Sequence, residues 1–301
     1  MTDAAAPSLD SLLREVADQL AAAGIEQARI DAEVMLAHVL GESRGRLQVL
    51  AIMGKRPAPE QVARLRAMAD ERADRVPLQH LTGRAPFRRI ELSVGPGVFV
   101  PRPETETVVD CALAELERTL ALPDRAGAEA PIVVDLCTGS GTIALAIANE
   151  VPDAQVWAVE KSVEAHAWAT RNVAEWGDGR VTLVQGDVSA LDPEIFEPLM
   201  GRVDLLVSNP PYVPSGMIPK DPEVRDHDPE LALYSGEDGL DLIRVIARIG
   251  RGLVHDGGSL VLEHAEHQGE AIRAILTAAG WHDAATHEDL TGRDRTTLAR
   301  R

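Results

Sequence analysis

The stretch Val133-Val134-Asp135-Leu136-Cys137-Thr138-Gly139-Ser140-Gly141 decides the fold. A short apolar run ends in an acidic residue and enters a glycine-rich turn, and a helical pattern opens at about Thr142. This is a buried strand delivering the chain to a helix N-terminus, where glycines admit a ligand to the backbone and free N–H groups favour negative charge. The spacing Gly139-x-Gly141-x-x-Ala144, with Glu160 lying 21 residues beyond Gly139, also fits a dinucleotide fingerprint. Taken alone, the turn points to an adenosine-type cofactor or to a tight structural turn.

Outward from it, further short apolar runs alternate with helical patterns. Strands are expected at Ile132–Leu136, Gln155–Glu160, Val181–Gln185, Val203–Ser208 and Ser259–Glu263, with Thr296–Arg300 as an antiparallel edge strand. Such a succession is the mark of a parallel sheet covered by helices on both faces. Glu160 ends its strand as a carboxylate able to accept from ribose hydroxyls. Asp187 follows the next strand, placed either to accept from an adenine amino group or to cap a helix.

The segment before residue 85 shows no strand pattern. Leu9, Leu12, Leu13, Val16 and Leu20 share a helical face behind Ser8, a second helix runs from about Arg29 to Leu40, and a third starts near Pro59. Residues 1–85 therefore read as a small helical domain and 86–103 as a connecting β-hairpin turning at Gly95-Pro96-Gly97. Residues 104–301 read as the α/β domain, with a surface linker at 121–131.

Composition narrows the function. The chain has 301 residues, 45% of them apolar and only 3% aromatic, so its core is built of small aliphatic side chains. A net charge of −18 argues against direct binding to DNA. Two cysteines exclude a disulfide framework and a four-cysteine zinc site. No apolar stretch approaches the length of a membrane span, and the N-terminus lacks an apolar signal core, so a cytoplasmic protein is expected. The charge is uneven, because Arg44–Arg89 holds 11 basic and 4 acidic side chains. That stretch is either a solvated helix face or a docking surface for an acidic or RNA-bearing partner.

A second motif carries the chemistry. Val203-Asp204-Leu205-Leu206-Val207-Ser208 runs straight into Asn209-Pro210-Pro211-Tyr212. Two prolines make a rigid turn with no N–H to satisfy, leaving the Asn209 side chain and the Pro210 carbonyl free to face a ligand at the carboxyl end of the sheet. Together they can accept both hydrogens of a planar –NH2 group while Tyr212 stacks on its plane. Beside an adenosine-type site, this combination points to methyl transfer from S-adenosylmethionine onto a planar nitrogen. Fixing both hydrogens aims a poorly nucleophilic lone pair at the methyl group, which is positioning plus electrostatic stabilisation.

With these motifs, Pro77-Leu78-Gln79-His80-Leu81-Thr82-Gly83, the stretch Pro96 to Glu106 and the tail Leu290-Thr291-Gly292-Arg293-Asp294, the chain resembles the PrmC/HemK family over residues 8–299. The resemblance implies a protein-(glutamine-N5) methyltransferase that modifies the Gly-Gly-Gln glutamine of class 1 peptide chain release factors. It implies a Rossmann-like class I methyltransferase fold with a mostly parallel seven-stranded sheet; a monomer is expected, though the sequence does not fix the oligomeric state. Cofactor contacts are expected from Asp135, Cys137, Thr138, Gly139, Ser140, Gly141, Glu160, Asp187, Val188 and Asn209. Substrate contacts are expected from Asn209, Pro210, Pro211 and Tyr212, with Asn209, Pro210 and Tyr212 catalytic and no metal. Asn-Pro-Pro-Tyr is shared with DNA adenine and rRNA guanine methyltransferases, whereas Arg102-Pro103-Glu104-Thr105-Glu106 is far more specific.

Three positions depart from the family. Cys137 replaces the usual Gly, which suggests a turn position with no need of positive φ. Glu160 replaces the commoner Asp, and Val188 replaces an aromatic that packs on adenine in some members. His227 is either a pocket-shaping or a loop-fixing residue, and Glu263-His264-Ala265-Glu266-His267 lacks the histidine spacing of a metalloprotease. Alternative readings are a glutamine methyltransferase acting on a ribosomal protein, a methyltransferase of exocyclic amines in DNA or rRNA, a nicotinamide-dependent dehydrogenase, and a non-catalytic cofactor-binding protein. The dehydrogenase reading leaves Asn209–Tyr212 unexplained.

Overall fold

The structure is a computed structural model that describes residues 7–125, 130–190 and 196–301. Asp3 and part of the expected 121–131 linker lie outside the described residues. The chain divides into two compact units, residues 1–84 with 219–227, and residues 85–218 with 228–301. Among the described residues, no helix is long and apolar enough to cross a membrane.

The N-terminal unit is helical: Leu9–Ala22, Ala28–Leu40, Arg44–Ile52, Pro59–Ala73 and Leu78–Thr82, joined by Pro222–His227 from much later in the chain. Ser8 caps the first helix by accepting from the Ser11 N–H at 3.2 Å, and Gly41 closes the second in the left-handed region. Leu12, Leu20, Met35, Leu36 and Leu65 meet in its core. The helix Arg44–Ile52 escapes the sequence reading, which passes directly from Leu40 to Pro59. Only its Leu47 and Leu50 are buried, while Ile52 is 88% exposed, so its apolar residues trace no single stripe. Arg72, buried, donates to Asp31 at 2.8 Å and to Glu223 at 2.6 Å, tying the late helix Pro222–His227 to this unit.

The second unit is built on a seven-stranded sheet of order β5-β4-β3-β6-β7-β9-β8. Its strands are β3 (Ile132–Leu136), β4 (Gln155–Glu160), β5 (Val181–Gln185), β6 (Val203–Ser208), β7 (Val254–Glu263), β8 (His282–Glu288) and β9 (Asp294–Arg300). β3 to β7 pair in parallel and β9 is antiparallel to both its neighbours. Alternation along the strands feeds two cores. Val133, Leu205 and Val207 face the helices Glu104–Leu120 and Thr142–Glu150, whereas Val134, Leu136 and Leu206 share the opposite core with Ile243, Ile246 and Ile272.

Three strand expectations change, the first being that the strand expected at Ser259–Glu263 already starts at Val254. Thr296–Arg300 lies inside the sheet between β7 and β8, and the edge is β8. That strand is polar and half-exposed along its length, so it leaves no apolar run to read. The hairpin is also displaced. Its strands are β1 (Arg84–Phe87) and β2 (Ile90–Ser93), joined by Arg88-Arg89 with Arg88 at φ 50°. Arg88 holds the turn in place through Glu150, Asp110 and the Glu106 carboxylate and carbonyl. Gly95 serves a different need, since a Cβ there would lie 2.4 Å from the Trp168 indole, whose N–H donates to the Pro96 carbonyl. Phe87, Ile90, Leu92 and Val98 are buried in the second unit's core.

Candidate active site

Strand order reverses between β4-β3 and β3-β6, and ligands of open α/β sheets bind at such a reversal. Leu136 and Ser208, the last residues of β3 and β6, are in register, and the Ser208 hydroxyl donates to the Leu136 carbonyl at 2.5 Å. The glycine-rich turn and Asn209–Tyr212 therefore leave the sheet from adjacent points.

Within the turn, Cys137 adopts φ 64°, Gly139 φ 59° and Gly141 φ 87°. The expectation that Cys137 avoids positive φ is thus overturned. The chain must reverse between β3 and the helix Thr142–Glu150, and three of five successive residues do so in the left-handed region. Burial, then the charge of Glu160, pushes the Cys137 thiol well above its ordinary range, which disfavours the thiolate. Ser140 is buried with its hydroxyl 2.8 Å from that of Thr142. Asp135 underlies the turn. Its Oδ2 accepts from the Thr138 hydroxyl at 2.6 Å and from the Ala144 N–H at 3.0 Å, which fastens strand end, turn and helix together. Burial pushes its pKa up to about 7, and Oδ1 has no hydrogen-bond partner among the described residues.

Glu160 is buried at the end of β4. Its two oxygens accept from the Gly139 N–H at 2.8 Å and the Ser162 N–H at 2.7 Å, and burial raises its pKa despite these bonds. The carboxylate clamps the turn from the side, with lone pairs left over. Asp187 behaves as a cap. One oxygen takes the Ser189 N–H and hydroxyl at 2.8 and 2.6 Å, the other meets Lys161 at 2.9 Å, and its pKa falls to about 2, chiefly through Ser189. Val188 is buried in the core with Leu136 and Val159.

The Asn209–Tyr212 turn is gripped from several sides. The Tyr212 carbonyl accepts from Gln268 at 2.9 Å, and Gly239, at φ 80°, passes so close that a Cβ would lie 2.2 Å from that oxygen. Val213 bridges onto the Leu233–Ser235 segment through two backbone bonds of 2.7 and 3.0 Å. Burial pushes the Tyr212 hydroxyl upward, and the nearby Glu263 charge adds to this. The Asn209 amide nitrogen lies 3.4 Å from the Thr105 hydroxyl, which donates to Glu263 at 2.7 Å.

The specific stretch Arg102–Glu106 is distributed over separate anchors. Arg102 pairs with Asp228 at 2.7 Å and lies over the Phe99 ring, Glu104 meets Arg293 at 3.1 Å, and Glu106 takes the Arg88 N–H at 3.0 Å. Arg293 brings the tail motif to the same place. Gln268, Gly239 and Glu263 escape the sequence reading as site residues, since each acts through a contact far away in the chain. Both His264 ring nitrogens are engaged, by the Thr297 hydroxyl and the Ala265 carbonyl. His227, on the helix Pro222–His227, has a ring nitrogen 3.4 Å from the Asp74 carbonyl.

Comparison with known proteins agrees with this architecture. The PrmC N-terminal domain matches residues 11–83 and the methyltransferase small domain matches residues 95–219. A release factor glutamine methyltransferase of Streptomyces coelicolor is 48% identical over 97% of this chain and 99% of its own. One from Bifidobacterium longum is 44% identical over 95% and 97%. A 4-amino-L-phenylalanine/4-methylamino-L-phenylalanine methyltransferase of Streptomyces pristinaespiralis is 40% identical over 94% and 92%. The near-complete coverage by relatives at this identity, together with the domain match, places this chain in the release factor glutamine methyltransferase family.

Proposed function

We propose that this protein transfers a methyl group from S-adenosylmethionine to the side-chain amide nitrogen of the glutamine in the Gly-Gly-Gln motif of class 1 peptide chain release factors, in the cytoplasm. The observation that carries the reading is the in-register ending of β3 and β6. It sets a cofactor-type turn beside a turn suited to hold a planar –NH2 group.

The residues present fit the cofactor. The buried Asp135 Oδ1, without a hydrogen-bond partner among the described residues, leaves a polar oxygen beneath the turn for the ligand, and a Cβ built on Gly139 meets nothing within 4 Å, so the backbone is open to close approach. Asp135, Gly139, Ser140, Gly141 and Glu160 would hold it, Glu160 through its spare lone pairs. When bound, the cofactor supplies an electrophilic sulfonium methyl.

The protein's own work is positioning. Asn209 Oδ1 and the Pro210 carbonyl accept the two amide hydrogens, and Tyr212 supports the amide plane. As the nitrogen pyramidalises these acceptors hold a group whose N–H bonds grow more acidic, so the contacts strengthen toward the transition state. The proton is then lost to water. No general base is needed before attack.

Methylation of purified release factor, with its Gly-Gly-Gln glutamine substituted as control, tests the reading. Label transfer that survives the substitution overturns it. Because the Streptomyces pristinaespiralis relative acts by name on an aryl amine, 4-amino-L-phenylalanine serves as a competing substrate. Faster turnover on it than on release factor would move the assignment to small-molecule amines.

A further inference from the structure

Thr105 and Glu263 belong to no step described above, yet both are almost fully buried, 3% and 2% exposed, beside the Asn209 amide. Thr105 sits in the first turn of the helix Glu104–Leu120 and Glu263 ends β7, so three separate elements converge here. We propose that Thr105 and Glu263 are positioning residues that set which face of the Asn209 amide is presented to the substrate, with Glu263 working as the carboxylate. The proposal deepens the glutamine-methylation reading and rests on it.

The argument is one of proton counting. An ionised carboxylate only accepts, and Thr105 has one hydroxyl proton, given to Glu263 at 2.7 Å. The Thr105 oxygen is left as an acceptor, and the Asn209 Nδ2 faces it at 3.4 Å while also interacting with the Glu263 carboxyl. Turning the amide over would set Asn209 Oδ1 against two oxygens with no proton to offer. The relay therefore holds Oδ1 on the side away from Glu263, where an acceptor for the substrate –NH2 is needed. A protonated Glu263 or a glutamine there could donate, and both amide orientations would be tolerated.

The groups around Glu263 agree with a carboxylate that titrates near neutrality. Burial pushes its pKa up to about 7; Thr105, Asn209 and Arg295 of β9 favour the ionised form, and Glu104 opposes it. The Glu263 charge is also felt by the Tyr212 hydroxyl, which burial pushes upward. Because the folded-state pKa is raised, the active carboxylate forms as pH rises through about 7, and turnover is expected to climb over that range.

The test combines Glu263→Gln, Thr105→Val and Thr105→Ser in the full-length protein. Two readouts are used: single-turnover rates on release factor from pH 5.5 to 8.5, and the Asn209 side-chain amide resonance of the free protein over the same range. Glu263→Gln and Thr105→Val are each expected to slow turnover about 10- to 100-fold, with KM and S-adenosylmethionine affinity within about threefold of wild type. The double variant should be no slower than the worse single one, Thr105→Ser should recover most of the Thr105→Val loss, and Glu263→Gln should flatten the pH profile. The Asn209 resonance should titrate near pH 7 in wild type and not in Glu263→Gln. Turnover near wild type in Glu263→Gln, a loss confined to KM or cofactor affinity, or an Asn209 resonance indifferent to pH and to Glu263→Gln overturns the proposal. A wild type that fails to methylate release factor while its Asn209 resonance titrates overturns the substrate reading instead and leaves the relay standing.

Discussion

Ser208 donates its hydroxyl proton to the carbonyl of Leu136 at 2.5 Å, and with this bond the last residues of β6 and β3 end level with each other. A shift of one residue in that pairing would turn Asn209 to the opposite face of the sheet and separate it from the turn. The placement of the two turns side by side is thus a property of strand register.

Asn209 meets Thr105 through its amide nitrogen, which leaves Oδ1 for the substrate, so its loss should be felt in catalysis. Asn209→Ala is expected to lower single-turnover rates by roughly 10²–10³-fold, as for the loss of one preorganised polar contact. S-adenosylmethionine affinity, read by calorimetric titration, should change far less. Rates near wild type would remove Asn209 from the mechanism.

Glu160 holds the Gly139 and Ser162 N–H groups and is the proposed ribose partner. Glu160→Ala should therefore weaken S-adenosylmethionine binding by roughly 1–3 kcal/mol, the cost of unmade charge-assisted bonds. Calorimetry and thermal melting on the same variant separate the roles. A lowered Tm with unchanged affinity would leave Glu160 as a clamp on the turn alone.

Cys137 occupies a left-handed position that costs a side chain roughly 1 kcal/mol. Cys137→Gly is expected to stay within about 1 kcal/mol of wild type, because relief of that strain offsets the greater freedom of the unfolded chain. Cys137→Val, β-branched, should be destabilised by roughly 1–3 kcal/mol. Urea denaturation of the two variants checks this, and equal stabilities would mean that the positive φ carries no strain.

In the helical unit, Arg72 donates to both Asp31 and Glu223, and only Glu223, at 20% side-chain exposure, meets solvent appreciably. Removing one partner of a buried ion pair costs about 3–5 kcal/mol. Asp31→Ala should fall near that range, while Glu223→Ala should cost clearly less because water reaches its site. A larger loss for Glu223→Ala in denaturant titration would show that the late helix, and not the pair, dominates.

We propose that the helical unit holds the release factor, since one glutamine in a short loop offers little binding energy. The cations of Arg44–Arg89 are not equally available for that. Arg66 is bound to Glu15 at 2.7 Å, Arg64 lies 2.7 Å from a His38 nitrogen, and Arg72 and Arg88 are structural. Arg46 and Lys55 are exposed, Lys55 close in sequence to Met53, itself 70% exposed. Charge reversal at Arg46 and Lys55 is expected to raise KM for intact release factor several-fold at low salt, with the effect fading as salt rises. Activity on a short Gly-Gly-Gln peptide should be unaffected. Equal losses on both substrates would assign these residues to stability.

The sequence by itself determined where the parallel strands lie along the chain, both turns and the chemistry expected of them. Each of those signals is local: an apolar run of strand length, glycines where the backbone must be open, prolines where it must be rigid. The family resemblance marked Arg102–Glu106 as distinctive without saying why. Only the tertiary structure decided that Thr105 faces Glu263 and Asn209, that Glu104 meets Arg293, and that Gln268 and Gly239 secure the Tyr212 carbonyl. These pairs are separated by 27 to 189 residues, so no local periodicity connects them. The left-handed Cys137, the polar edge strand β8 and the exposed helix Arg44–Ile52 were hidden for a related reason. In each, packing and chain reversal override the preference of the residues themselves, and that balance exists only once the neighbouring elements are in place.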